Sequence, residues 1–186
     1  MRRAALSLGA ALALAGCAAL PSLDDVVPSP PPDPEAVRAE AEALSRALAG
    51  AVSVCLDARE AGLDLSGHVA AAGDPRRLGV RPAPAPLRGW VVRSGRANLY
   101  EEAGRCYAEP VGAVPPGTVG ALRAALTSRA DHPLAETEPP RAVEGTLSRW
   151  YTDETGVRVV LIAPEGGDES GDEGAGSLVL IVTGRV

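Results

Sequence analysis

The chain has 186 residues with 18 arginines and no lysine, 24 acidic residues and a formal charge of −6. The missing lysine excludes Schiff-base catalysis, serine–lysine acyl transfer and a Walker-type phosphate lysine. An acidic chain without a basic tract is a poor electrostatic partner for nucleic acid or anionic lipid, so no nucleic-acid partner is expected.

Arg2 and Arg3 precede an apolar run, Ala4 to Ala15, of 12 residues. A helix needs about 20 to cross the hydrocarbon core, so residues 1–16 read as a signal peptide rather than a span. Leu14-Ala15-Gly16-Cys17 follows directly and resembles the lipobox of bacterial lipoproteins: an aliphatic residue, two small residues and a cysteine. The resemblance implies cleavage after Gly16, diacylglycerol on the Cys17 sulfur and acylation of the new amino group. Several acyl chains anchor far more firmly than one, so the implied partner is the bilayer, through acylated Cys17. The implied location is a bacterial membrane facing the periplasm. Ala18, where inner-membrane retention has aspartate, resembles the outer-membrane pattern.

With Cys17 lipidated, Cys55 and Cys106 remain as an even pair in an oxidising compartment, and a disulfide between them is expected. Their spacing is too wide for a CxxC redox motif.

Residues 17–33 read as a lipidated cysteine and tether. Pro21, Pro28, Pro30, Pro31 and Pro32 favour extended polyproline conformations, about 3.1 Å per residue, giving a reach of roughly 50 Å. Asp33 as N-cap, Pro34 at the first position and Glu35 in the first turn open a helix. Val37, Ala41, Leu44, Leu48, Val52 and Cys55 make its apolar stripe, Gly50 marks a close approach or bend, and Gly62 ends it.

Gly62 to Gly89 is broken by Pro75, Pro82, Pro84 and Pro86, with a short helical turn within Leu63–Ala72. Trp90 to Arg93 reads as a strand. Ala97–Tyr100 and Arg105–Glu109 pair as a hairpin around Glu101–Gly104, with Cys106 on a strand. Thr118 caps a short helix through Ala130, with Val119, Leu122 and Leu126 inward. Val143–Thr152 and Val157–Ala163 flank the hairpin turn Asp153–Gly156, and Leu178–Thr183 supplies a further strand beside Val157–Ile162.

The expected fold of residues 34–186 is a single α+β domain: a mainly antiparallel sheet of five or six strands, the long helix packed on one face, and a second short helix.

Reactive constellations are sparse. Ser66, His68 and Asp74 carry the residue types of a hydrolytic triad but lie within one stretch without a nucleophile elbow. His132 reads as a helix-end residue. No Cys or His pair has metal-ligand spacing, and the acids of Pro164–Gly176 do not keep an EF-hand pattern. Neither metal nor cofactor is expected.

Glu101-Glu102 and Glu136-Thr137-Glu138 read as solvated surface. Trp150 and Tyr151 are candidates for a ligand surface, because adjacency on a strand sends the two rings to opposite faces. Tyr151–Gly156 is similar to the TD-x-x-G stretch of OmpA-like peptidoglycan-binding domains, and Leu44–Ala47 to their LS-x-x-RA helix, but the two stand in the reverse order. The expected function is therefore a non-enzymatic envelope lipoprotein that binds or scaffolds an envelope protein or cell-wall component. The alternative is a hydrolase acting on cell-wall or periplasmic substrates.

Overall fold

Asp33 opens the first helix as its position suggests. Its side chain accepts from the Glu35 amide at 3.0 Å, and Pro34, which has no amide hydrogen to leave unpaired, takes the first helical position. The computed structural model describes residues 31–129, 133–138, 146–153, 156, 158–164 and 178–184. The signal segment, Cys17, the tether up to residue 30, His132 and the acidic stretch 165–177 lie outside the described residues.

Helix α1 spans Pro34–Glu60 and buries Ala41, Leu44, Leu48, Ala51, Val52, Cys55 and Ala58, a repeat of three and four that makes one continuous stripe. Gly62, at φ +68°, ends it: its amide donates to the Arg59 carbonyl, and that of Leu63 to the Ala58 carbonyl. Gly50 corrects an expectation. It is exposed, and a Cβ added there meets nothing within 4 Å, so no close approach demands glycine. Gly50→Ala is accordingly expected to stabilise the protein by about 0.5–1 kcal/mol through helix propensity alone, read as a higher urea midpoint with an unchanged slope.

Asp64 caps the short helix α2, Leu65–Ala71, by accepting from the Gly67 amide at 2.6 Å. A 3₁₀ turn at Pro75–Leu78 follows, then eight strands: β1 Val80–Pro82, β2 Trp90–Val92, β3 Ala97–Glu102, β4 Arg105–Pro110, β5 Ala135–Thr137, β6 Thr146–Thr152, β7 Arg158–Pro164 and β8 Val179–Thr183. Helix α3, Thr118–Thr127, lies between β4 and β5. The class is α+β; the described residues hold eight strands against the expected five or six, and three helices against the expected two.

All eight strands form one sheet in the order β1-β2-β3-β4-β8-β7-β6-β5, every pairing antiparallel. Two four-stranded meanders therefore lie edge to edge. α3 carries the chain from the end of the first to the far margin of the sheet, and β8 returns to close the seam against β4. The expected pairing of Val157–Ile162 with Leu178–Val182 is the β7–β8 ladder, with Leu161 opposite Leu180.

The two added strands are the outermost ones, three residues each. β1 has no strand pattern of its own because Pro82 breaks it; an edge strand tolerates proline, since it has no partner awaiting the amide. β5 carries no apolar alternation at all, and all three of its residues are exposed.

The helices share one side of the sheet. α1 lies across β2, β3, β4 and β8 and packs along α3. Buried Ser45 ties the two helices, its hydroxyl donating toward the carbonyls of Ala41 at 2.7 Å and Thr118 at 3.0 Å. Thr118 is not the N-cap of α3. Gly117, at φ +80°, holds that position, and the Thr118 hydroxyl donates to the Pro115 carbonyl.

Beneath α1, Cys55 and Cys106 are joined by a disulfide with a Cα–Cα distance of 5.9 Å, both residues fully inside the core. Among the described residues no helix is long and apolar enough to cross a membrane.

Glu101 also departs from expectation. The β3–β4 turn is two residues, Ala103 and Gly104, both at positive φ, the geometry that matches strand twist in a tight hairpin. Glu101 thus stays in the strand, opposite Cys106 and on the side of the helices. Its carboxylate accepts from Arg59 at 2.8 Å and from the Leu65 amide at 2.6 Å, clasping the end of α1, the start of α2 and β3.

Candidate functional site

Side chains alternate across a strand, so register pairs share a face. Leu99, Ala108, Leu180 and Leu161 follow one another across β3, β4, β8 and β7 toward the helices, and all four are buried. The residues next to them in sequence face the other way. Tyr100 stands opposite Tyr107, Tyr107 opposite Ile181, Ile181 opposite Val160, and Val160 opposite Trp150. This second row runs across five strands, about 20 Å at the usual strand spacing. None of its members belongs to the core cluster the helices share with the sheet. Four of the five are half-buried, and Val160, between Ile181 and Trp150, is 8% exposed.

The row is ordered by its own contacts. The Tyr100 and Tyr107 rings stack at 5.1 Å between centroids, 9° from parallel. The Arg88 guanidinium lies 4.9 Å from the Tyr100 centroid, and that of Arg158 lies 5.8 Å from the Trp150 centroid, both within cation–π range. The Tyr100 hydroxyl donates to Glu109 at 2.6 Å. Asn98 is buried next to Tyr100. With its amide nitrogen turned toward the two carbonyls it faces, it donates to Trp90 and Arg88 at 2.9 Å each, fixing the segment that carries Arg88. Aromatic and aliphatic side chains in the centre, with arginine and glutamate around them, have the apolar centre and polar rim found at contact surfaces.

Trp150 and Tyr151 do point to opposite faces, but only Trp150 belongs to this surface. Tyr151 is 0% exposed. The register that sets Trp150 opposite Val160 sets Tyr151 opposite Val159, on the side of the helices. Tyr151 therefore lies buried on the helix side and outside this row, and the aromatics that join Trp150 are Tyr100 and Tyr107. Their signal in the sequence was the alternation of β3 and β4, whose helix-facing phase is marked by Cys106, the partner of Cys55 on the helix stripe.

The triad residue types are not brought together. Ser66 and His68 stand two positions apart on α2, about 200° around a helix, and such pairs do not face each other. Asp74 is occupied as the cap of the 3₁₀ turn, accepting from the Arg76 amide at 3.0 Å. Among the described residues no hydrogen bond links the three, and no group of three or more His, Cys, Asp or Glu side chains is placed to hold a metal ion.

Two phenols are held back from ionising. Burial, and then the Glu109 carboxylate that accepts its proton, push Tyr100 up to about 12. Burial, and then the charge of Glu136, push Tyr151 up to about 12. A folded pKa above the unfolded value of about 10 means that the unfolded chain releases its protons first as pH rises. The stability these two groups contribute is thus complete below pH 10 and is lost as pH climbs toward 12. Tyrosinate absorbance should show Tyr100 and Tyr151 ionising together with loss of the fold, and Tyr100→Phe should remove part of that alkaline loss. No protein-family model, no curated protein and no solved structure matches this chain.

Proposed function

We propose that the protein is an envelope lipoprotein, held on a membrane by acylated Cys17, whose domain is a non-enzymatic binding or scaffolding module. One observation carries the reading of the domain: the row Tyr100, Tyr107, Ile181, Val160 and Trp150 on the sheet face opposite the helices. Tyrosine, tryptophan and arginine supply most of the energy at the centres of protein interfaces, because large rigid side chains cost little entropy to bury. The lipobox, and the proline-rich stretch before Asp33, support a tethered module that meets its partner near the membrane surface.

The test has two arms. Mass spectrometry of detergent-extracted protein should show an N-terminal Cys17 bearing acyl chains; a retained Met1 with a free Cys17 thiol contradicts the anchor. In intact cells, a photocrosslinking amino acid at position 181 should give a discrete adduct, while one at exposed Glu42 on α1 should not. Ile181→Asp should abolish an adduct formed from position 150. Equal labelling from positions 181 and 42 contradicts the sheet face as the contact surface.

A further inference from the structure

On the helix side of the same sheet, four polar side chains converge near its β5 margin. Strand β6 sends Arg149 and Tyr151 to that side, β5 sets Glu136 opposite Tyr151, and α3 brings Arg123 over them. The Glu136 carboxylate accepts from Arg123 Nη2 at 3.2 and 3.5 Å and lies 3.6 Å from Arg149 Nε. Charge-assisted bonds of this type are ordinarily 2.7–2.9 Å, so the carboxylate is held loosely by both arginines.

Donors exceed acceptors here. The Tyr151 hydroxyl is buried and has no hydrogen-bond partner, and neither do Arg123 Nε nor Arg149 Nε. The phenol is close enough to Arg123 and Glu136 for both charges to act on it, and Arg123 is the group that reaches toward its oxygen. Two guanidiniums and a phenol thus surround one carboxylate, with a formal surplus of one positive charge. The charged side chains are partly exposed, at 37% for Arg123, 39% for Arg149 and 32% for Glu136, while Tyr151 is at 0%. The phenol is buried, and the two arginines beside it are partly exposed.

A buried donor left unpaired is costly. A water would satisfy the hydroxyl but leave the surplus charge; an oxyanion satisfies both. We propose that Arg123, Arg149 and Tyr151 form a binding site for a small oxyanion, a carboxylate or phosphate group, in which Glu136 is the resident competitor. Glu136 is the carboxylate that already accepts from Arg123 and pairs with Arg149, and its long contacts leave it displaceable. The site lies on the opposite side of the sheet from the Tyr100–Trp150 row and does not depend on the reading of that row.

The test is titration of the detergent-solubilised full chain with inorganic phosphate and, separately, acetate, at ionic strength held constant with chloride, followed by calorimetry. Glu136→Gln removes the competitor and should tighten binding by about tenfold or more, the direction opposite to that expected if the cluster were only structural. Tyr151→Phe should weaken binding by about tenfold, the value of a hydrogen bond to a charged group. It should fold normally, since phenylalanine keeps the ring that packs in the core. The tighter of phosphate and acetate identifies the ligand chemistry. No saturable signal from either anion in Glu136→Gln, or affinity unchanged by Tyr151→Phe, overturns the proposal.

Discussion

Replacing Cys55 and Cys106 together with alanine is expected to lower the unfolding free energy by about 4 kcal/mol. The bridge spans 51 residues of sequence, and its effect is mainly on the unfolded chain, whose ends it keeps from separating. The segment it closes holds α2, β1, β2 and β3, the half of the sheet with the shortest strands and the most proline. In the folded state the bridge joins α1 to β4, where the sulfurs sit among apolar side chains. Alanine is the right replacement because serine would bury a hydroxyl without a partner. The urea midpoint should fall, and the slope should steepen as the unlinked unfolded chain exposes more surface. At about 2–4 °C per kcal/mol for a domain of this size, melting should drop by roughly 8–16 °C. An unchanged midpoint would mean that α1 and β4 are held together without the bridge.

The parts of this fold that were legible in the sequence are those whose signals are local. The cap, the first-turn proline and the three-and-four stripe of α1 lie within one continuous segment and agree with each other. The β-branched runs of β7 and β8 have no other stable use than as interior strands. Illegible were features decided by pairing. β1 and β5 are strands only because a neighbour supplies their hydrogen bonds, and neither has a pattern of its own. Glu101 reads as turn surface until the two-residue turn keeps it in β3, where it meets Arg59 and Leu65.

The candidate surface shows the same limit more sharply. Alternation places Trp150 and Tyr151 on opposite faces, but the choice of buried face is made by register against β7 and by α3 packing above. Tyr100, Tyr107, Ile181, Val160 and Trp150 come from two meanders separated by a helix. No window of sequence contains them all, and the row exists only once β8 has paired with β4.

Gly89→Ala is expected to cost about 2–5 kcal/mol, combining backbone strain with overpacking. Gly89 has φ +72°, and a Cβ there would sit 2.4 Å from the Leu99 carbonyl oxygen and 2.9 Å from the Tyr100 Cβ. Neither neighbour can yield. Leu99 is 0% exposed and paired in register on both sides, with Trp90 and with Ala108, so the carbonyl moves only if β3 moves. Gly104 gives the comparison that separates the two causes: it has φ +72° as well, but nothing lies within 4 Å of an added Cβ. Gly104→Ala should therefore cost only the strain, about 1 kcal/mol. The excess of Gly89→Ala over Gly104→Ala, measured as a difference in urea midpoints, is the energy of the close approach. Equal midpoints would show that the segment before β2 does not press on β3. The same contact has a functional consequence. Gly89 follows Arg88, whose guanidinium lies over Tyr100, and the Arg88 carbonyl is held by Asn98. Pushing this segment off β3 withdraws the cation from one end of the aromatic row. Gly89→Ala should then lose crosslinking near Tyr100 at temperatures where the fold persists, while Gly104→Ala retains it.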